Sequence, residues 1–171
     1  MNGIEVRRAR RDDVPFLLEL ITHEDVRPYL GGLTPASAEE ALAEIERSDA
    51  EPDLYGRYVI EVDGERAGTV GFRVANERHG IAEVGRLAIH PRFRGRRIGD
   101  GAARIFQRHL LCDRGLHRLE IQIYGFNERA LAHAERAGFV REGVKRKAYL
   151  RDDEWQDAVL FSLLREDLEG A

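Results

Sequence analysis

A chain of 171 residues, 43% hydrophobic and 34% charged, carries enough apolar material for a substantial core and is too apolar for a disordered protein. No apolar run approaches the roughly 18–20 residues of a membrane span, and MNGIEVRRARRDDV lacks the apolar stretch of a secretory signal, so a cytoplasmic protein without a membrane partner is expected. The single cysteine, Cys112, excludes an internal disulfide and a cysteine-based metal cluster, and the net charge of −4 argues against a general polyanion binder.

IEVRRA (4–9) predicts a first strand. Asp12 suits the cap of a helix with Pro15 in its first turn and Phe16, Leu17, Leu20 and Ile21 on one stripe. The stretch 23–35, with two prolines and Gly31-Gly32, reads as a loop. Ser37, followed three residues later by Glu40, marks the start of a second helix. YGRYVIEV (55–62) and ERAGTVGFRVA (65–75) flank Asp63-Gly64, a pair suited to the positive φ of a hairpin turn. NERHG (76–80) turns into a strand over 81–90 that Pro91 ends. Ile98, Ala102, Ile105, Phe106 and Leu110 then fall at helical spacing. HRLEIQIYG (117–125) is a further strand, Asn127 caps ERALAHAERA, and Gly138 stops that helix. FVREGVKRKAYL and WQDAVLFSLL close the chain as two strands around the Arg151–Glu154 turn. The order β-α-α-β-β-β-α-β-α-β-β, with no repeat or linker, predicts a mixed α/β single domain over residues 1–171.

Charge is unevenly placed. Between Arg86 and Arg108 there are seven arginines and one acid, Asp100; between Thr34 and Asp53 there are seven acids and one base, Arg47. The basic stretch includes HPRFRGRRIGDGAARI, in which Arg92, Arg94, Arg96 and Arg97 and two glycines, Gly95 and Gly99, stand between a strand and a helix. Free N–H groups and a partial positive charge at a helix N-terminus hold phosphate, glycine lets a bulky diphosphate approach, and arginine adds charge-assisted hydrogen bonds. A solvated turn has the same composition, and neither a Walker lysine-hydroxyl pair nor a GxGxxG fingerprint is present.

The stretch LAIHPRFRGRRIGDGAARIF resembles the coenzyme A loop of the GNAT superfamily of N-acetyltransferases, whose pattern is Arg or Gln, two residues, Gly, one residue, then Gly or Ala. Arg94, Ile98 and Gly99 fit it, and Arg97 takes the place of the first glycine. NERALAHAERAGF resembles the next motif of that family, and the element order fits over nearly the whole chain. The resemblance implies a central mixed sheet of about seven strands flanked by about four helices, and acetyl-CoA as cosubstrate with no metal. It implies that backbone groups of Leu87, Ala88 and Ile89 meet the acetyl and pantetheine groups. Amides from Arg94, Gly95, Arg96, Arg97, Ile98 and Gly99 would hold the pyrophosphate, and Asn127 the pantetheine chain. The patterns are nearest those of ribosomal-protein serine/alanine and diamine acetyltransferases.

Acetyl transfer to an amine requires the neutral amine, which is about one molecule in a thousand at pH 7, and a proton for the departing thiolate. In the branch that acetylates protein N-termini, a Glu five residues before the motif Asn and a Tyr seven after it would serve; here Gln122 and Ala134 stand there. Glu83 is a candidate base, placed by strict alternation on one face with Gly85, Leu87 and Ile89, and Glu120 is a second. Tyr124 and Tyr149 are candidate acids. His90 reads as a turn residue and His133 as a partly buried or surface residue of a helix. The expected reaction is acetyl transfer from acetyl-CoA to a primary amine of a small molecule or peptide N-terminus, by direct attack in a ternary complex. The alternative, a non-catalytic CoA-binding regulatory module, is motivated by Gln122 and Ala134. Nucleic acid is disfavoured because the basic stretch has Phe93 as its one stacking aromatic. The closing strands could pair two copies into a homodimer.

Overall fold

The computed structural model describes residues 3–30, 35 and 37–169; the Gly31-Gly32 pair of the expected loop and both chain ends lie outside them. Seven strands, β1 (Ile4–Arg8), β2 (Tyr55–Val62), β3 (Glu65–Asn76), β4 (Ile81–Ile89), β5 (Arg118–Tyr124), β6 (Val140–Arg151) and β7 (Glu154–Leu164), form one sheet in the order β1-β2-β3-β4-β5-β7-β6. Neighbours are antiparallel except β4 and β5, which run parallel. Helices α1 (Val14–Thr22), α2 (Ala38–Ala50), α3 (Ile98–Arg108) and α4 (Glu128–Arg136) match the four expected, and a short fifth, α5 (Arg165–Glu169), follows β7.

Local chemistry explains most boundaries. Ser37 Oγ accepts from the Glu40 amide at 3.2 Å, and Asn127 Oδ1 from the Ala130 amide at 3.2 Å. Asp63 and Gly64 both take positive φ, 52° and 82°, so the β2–β3 hairpin closes in two residues. The first helix departs from expectation. It starts at Val14 after a 3₁₀ turn over Arg11–Asp13, because Asp13 accepts from the Arg10 amide at 2.7 Å and from Arg7 and Arg66, and so cannot continue a simple Asp12 cap. Beyond α3, a π turn over His109–Asp113 buries Leu110 and Leu111.

Helices α3 and α4 cover one face of the sheet, where Ile98, Ala102, Phe106 and Ala134 pack on Phe72, Leu119 and Phe161. Helices α1 and α2 cover part of the other, with Leu17 and Ile45 on Val59, and Leu20 and Val26 on Ala88. No helix among the described residues is long and apolar enough to cross a membrane.

The site is positioned by an irregularity. Strands β4 and β5 pair only at Ile81–Arg118, Ala82–Leu119 and Glu83–Glu120, then part. At the same height β4 bulges at Arg86, whose φ is 58°, and its register with β3 jumps from Gly71–Gly85 to Thr69–Ala88. The extra residue resets the alternation. Ala82 and Val84, then Leu87 and Ile89, face α3 and α4, whereas Ala88 packs beneath α1. Glu83 and Gly85 precede the bulge, so they fall on the α1–α2 face, and the expected sharing of one face by Glu83, Leu87 and Ile89 is corrected.

Candidate active site

The parted strands open a cleft of about 1240 Å³ that runs through the sheet from the α3–α4 layer to the α1–α2 layer. Beyond Glu83, the edge of β4 that faces β5 has no strand partner among the described residues. Unpaired backbone groups on such an edge can pair with an extended ligand, as a sheet accepts an added strand.

At one mouth lies the arginine loop. Gly95 has φ 77° with open space where a side chain would stand, and Arg97, the residue before α3, has φ 55°. Arg97 thus adopts the left-handed backbone that glycine favours, which accounts for the glycine that the motif has where this chain has arginine. No side chain caps α3, so its first N–H groups are free for a ligand. The arginine side chains are largely engaged by the protein. Arg92 pairs with Glu65 at 3.0 Å and stacks over Phe93. Arg94 donates to the Asp25 carbonyl at 2.9 Å, tying this loop to the one after α1; burial, then nearby Arg129, lowers its pKa. Arg96 also lies over Phe93 and, unlike Arg94, Gly95, Arg97, Ile98 and Gly99, does not line the cleft. Gly99 faces the wall, its absent Cβ 3.6 Å from His133 and 3.7 Å from Ile89.

His133, partly buried as expected, also lines this mouth, a place that the sequence did not assign to it. Its Nδ1 lies 2.8 Å from Asp100 Oδ1, and Arg136 approaches the same carboxylate at 3.4 Å. Burial works to raise the Asp100 pKa, but hydrogen bonds from Arg136 and His133 outweigh it and hold the carboxyl below its ordinary value. An ionised carboxylate only accepts, so Nδ1 carries the hydrogen of that bond. The acid in the first turn of α3 is thereby balanced by Arg136 beside the proposed phosphate position.

The opposite mouth gathers the acid–base candidates. Leu119, Ile121 and Ile123 pack toward α3 and α4, which turns Glu120, Gln122 and Tyr124 to the face that holds Glu83. Tyr149 on β6 donates its hydroxyl to Gln122 Oε1 at 2.6 Å and meets Tyr124 edge to face at 5.8 Å. Burial, then the charges of Glu83 and Tyr124, raise the Tyr149 pKa. Glu83 accepts from Arg73 at 2.6 Å and Glu120 from Arg118 at 2.7 Å. Leu87, Ala88, Ile89 and Asn127 line the cleft with them, and Ala134, a buried core residue, also borders it. Among the described residues no group of three or more His, Cys, Asp or Glu side chains could hold a metal ion.

Residues 4–140 match the model of the family described as "Acetyltransferase (GNAT) domain". Spermidine N(1)-acetyltransferase of Escherichia coli (strain K12) is 23% identical over 164 residues, 96% of this chain and 87% of that protein. Among solved structures, spermidine N-acetyltransferase from Vibrio cholerae in complex with CoA and spermine superposes with TM-score 0.85 at 21% identity, covering 96% of each chain. The ribosomal-protein-S5-alanine acetyltransferase from Vibrio fischeri reaches TM-score 0.85 at 18% identity, over 98% of this chain and 96% of that one. With a family model spanning most of its length, the chain belongs to the acetyltransferase (GNAT) domain family and is an N-acetyltransferase.

Proposed function

We propose that the protein, acting as a single domain, moves the acetyl group of acetyl-CoA to a primary amine of a small molecule or peptide by direct attack in a ternary complex. The observation that carries this reading is the cleft through the sheet, with an uncapped helix end at one mouth and a phenol–carboxylate group at the other. The pantetheine arm runs along Leu87, Ala88 and Ile89 as an added strand. Amides from Arg94 to Gly99 and the α3 dipole hold the pyrophosphate. Asn127 uses Oδ1 to cap α4 and so has its amide N–H groups left for the arm. The amine nitrogen bonds to the thioester carbon, an N–H on the β4 edge holds the oxyanion, and the C–S bond breaks. The amine loses its proton to water or to Glu83, which then exchanges its bond with Arg73. Tyr149, a phenol that is protonated at neutral pH, turns its hydroxyl from Gln122 and gives its proton to the thiolate as the C–S bond breaks, with Tyr124 packed beside it. The likeness to spermidine and ribosomal-protein acetyltransferases supports an amine acceptor.

The test is free-thiol release from acetyl-CoA against a panel of amines, in a Cys112→Ser background that removes the exposed protein thiol. Turnover is expected, and Tyr149→Phe should lower kcat by about 10²-fold with unchanged acetyl-CoA affinity. Gly99→Trp should abolish acetyl-CoA binding while the protein stays folded. Binding of acetyl-CoA without transfer to any amine would overturn the reading and leave the non-catalytic CoA-binding module.

A further inference from the structure

A row of residues beneath α2 has no part in the chemistry above. Arg57, Gly71 and Gly85 stand opposite one another on β2, β3 and β4. Beyond the parting, Gln122 continues the row on β5, since Glu83 and Glu120 set the two strands in step. The Arg57 side chain crosses the first glycine: a Cβ at Gly71 would lie 3.8 Å from its Nη1. Over the second there is open space, because a Cβ at Gly85 would meet nothing within 4 Å. The row is thus a trough floored by backbone, leading from a guanidinium to the gap where Gln122 and Tyr149 meet.

That guanidinium is incompletely bonded. The Arg57 side chain is 2% exposed, yet Nε and Nη1 have no hydrogen-bond partner. Glu44 Oε2 stands 3.5 Å from Nε and is likewise without a hydrogen bond, while the other Glu44 oxygen accepts from Arg86. A buried charged donor left unbonded is costly, and such a group marks a place for a ligand. Burial, then the like charge of Arg86, lowers the Arg57 pKa to about 10, so it remains charged at neutral pH. Arg57, Glu44 and Arg86 all line the cleft.

We infer that the acceptor is an amino carboxylate, whose carboxylate binds the Arg57 guanidinium beside Arg86 while its amine reaches past Gly85 into the gap. From Gly71 to Gly85 is one strand spacing, roughly 5 Å, which a short acceptor spans. A polycation entering the same trough meets two arginines around a single carboxylate, Glu44, a cluster of net positive charge. The inference rests on the acetyl-transfer reading and narrows its acceptor; the bonds made and broken are those already given, and the carboxylate takes no part in them.

The experiment compares kcat/KM for glycine, β-alanine and 4-aminobutyrate, each beside its carboxamide, and for spermidine. At least one carboxylate should exceed its carboxamide by about tenfold or more, the difference a charge-assisted hydrogen bond makes. Arg57→Gln should erase that preference and retain transfer to the carboxamide. Glu44→Gln, which removes the resident counter-ion and keeps Arg57, should widen it. Equal rates for every pair, a preference for spermidine, or a carboxylate preference that survives Arg57→Gln would overturn the inference while leaving acetyl transfer intact. Should Arg57→Gln not fold, the wild-type pairs and Glu44→Gln decide. Should no amine be acetylated, acetyl transfer itself fails, and calorimetry with CoA-saturated protein takes over. Tighter binding of N-acetyl-β-alanine than of its carboxamide then supports the subsite, and equal or absent binding overturns it.

Discussion

At the scale of single residues, Asp13 shows how a charge can be buried at all. Its side chain is 1% exposed and accepts from Arg7 at 2.7 Å, the Arg10 amide at 2.7 Å and Arg66 at 2.6 Å. Burial alone would raise its pKa, but the bonds from Arg7, the Arg10 amide and Arg66 outweigh it and the value falls to about 2, from an ordinary 3.8. A folded pKa below the unfolded one means that the stabilisation is complete above about pH 4 and is lost as pH falls toward 2. Asp13→Asn should cost about 2–3 kcal/mol at pH 7, the size that its lowered pKa implies, since Arg7 and Arg66 lose a counter-charge but keep contact with water. Denaturant unfolding between pH 7 and pH 2 checks both: the gap between wild type and variant should narrow through that acid window. Arg97 gives the opposite case. With φ 55°, Arg97→Gly should leave stability unchanged or raise it by up to ~1 kcal/mol, and acetyl-CoA binding should survive. A clear fall in thermal stability would show that the side chain, not the backbone, matters there.

At the scale of elements, the bulged strand β4 depends on its neighbour β3. A Cβ at Gly68 would stand 2.4 Å from the Ala88 carbonyl oxygen and 2.8 Å from Ile89 Cδ1. The first contact is with backbone and cannot be relieved by a side-chain rotation. Gly68→Ala should therefore cost about 1–3 kcal/mol and weaken acetyl-CoA binding, because it displaces the part of β4 that follows the bulge. Gly85→Ala, on β4 itself, is the control: it meets open space, and stability should stay within ~0.5 kcal/mol. Parallel unfolding and acetyl-CoA titration of the two variants separates these outcomes.

At the scale of the molecule, β4 and β5 are held together by three residue pairs, and the cleft lies where pairing stops. A ligand lying in that gap adds contacts to both sides and binds only the folded chain. Acetyl-CoA at a hundred times its Kd should stabilise the protein by about 2.7 kcal/mol, which for a chain of this length raises Tm by roughly 5–10 °C. Hydrogen exchange should slow most at Val84–Ile89, and protection spread evenly over all strands would count against a ligand on the β4 edge.

Much was legible in the sequence because it is encoded locally. Ser37 and Asn127 cap, Asp63-Gly64 turns, Pro91 stops a strand and Gly138 a helix, each through its own side chain or φ preference. The two motifs carried the family because each is contiguous. What the tertiary structure decided is non-local. The bulge at Arg86 comes from register with β3, and it moved Leu87 and Ile89 to the face opposite Glu83. The pairing of Tyr149 with Gln122 joins residues 27 apart, and that of His133 with Asp100 joins residues 33 apart. Arg57, the one charged residue in a run of buried positions on β2, was the visible sign of its trough. Its meaning needed Glu44, Arg86 and the two glycines, which three other elements, α2, β3 and β4, bring to it. Local propensity fixes where the chain turns; only packing fixes which side chains, far apart along it, share one space.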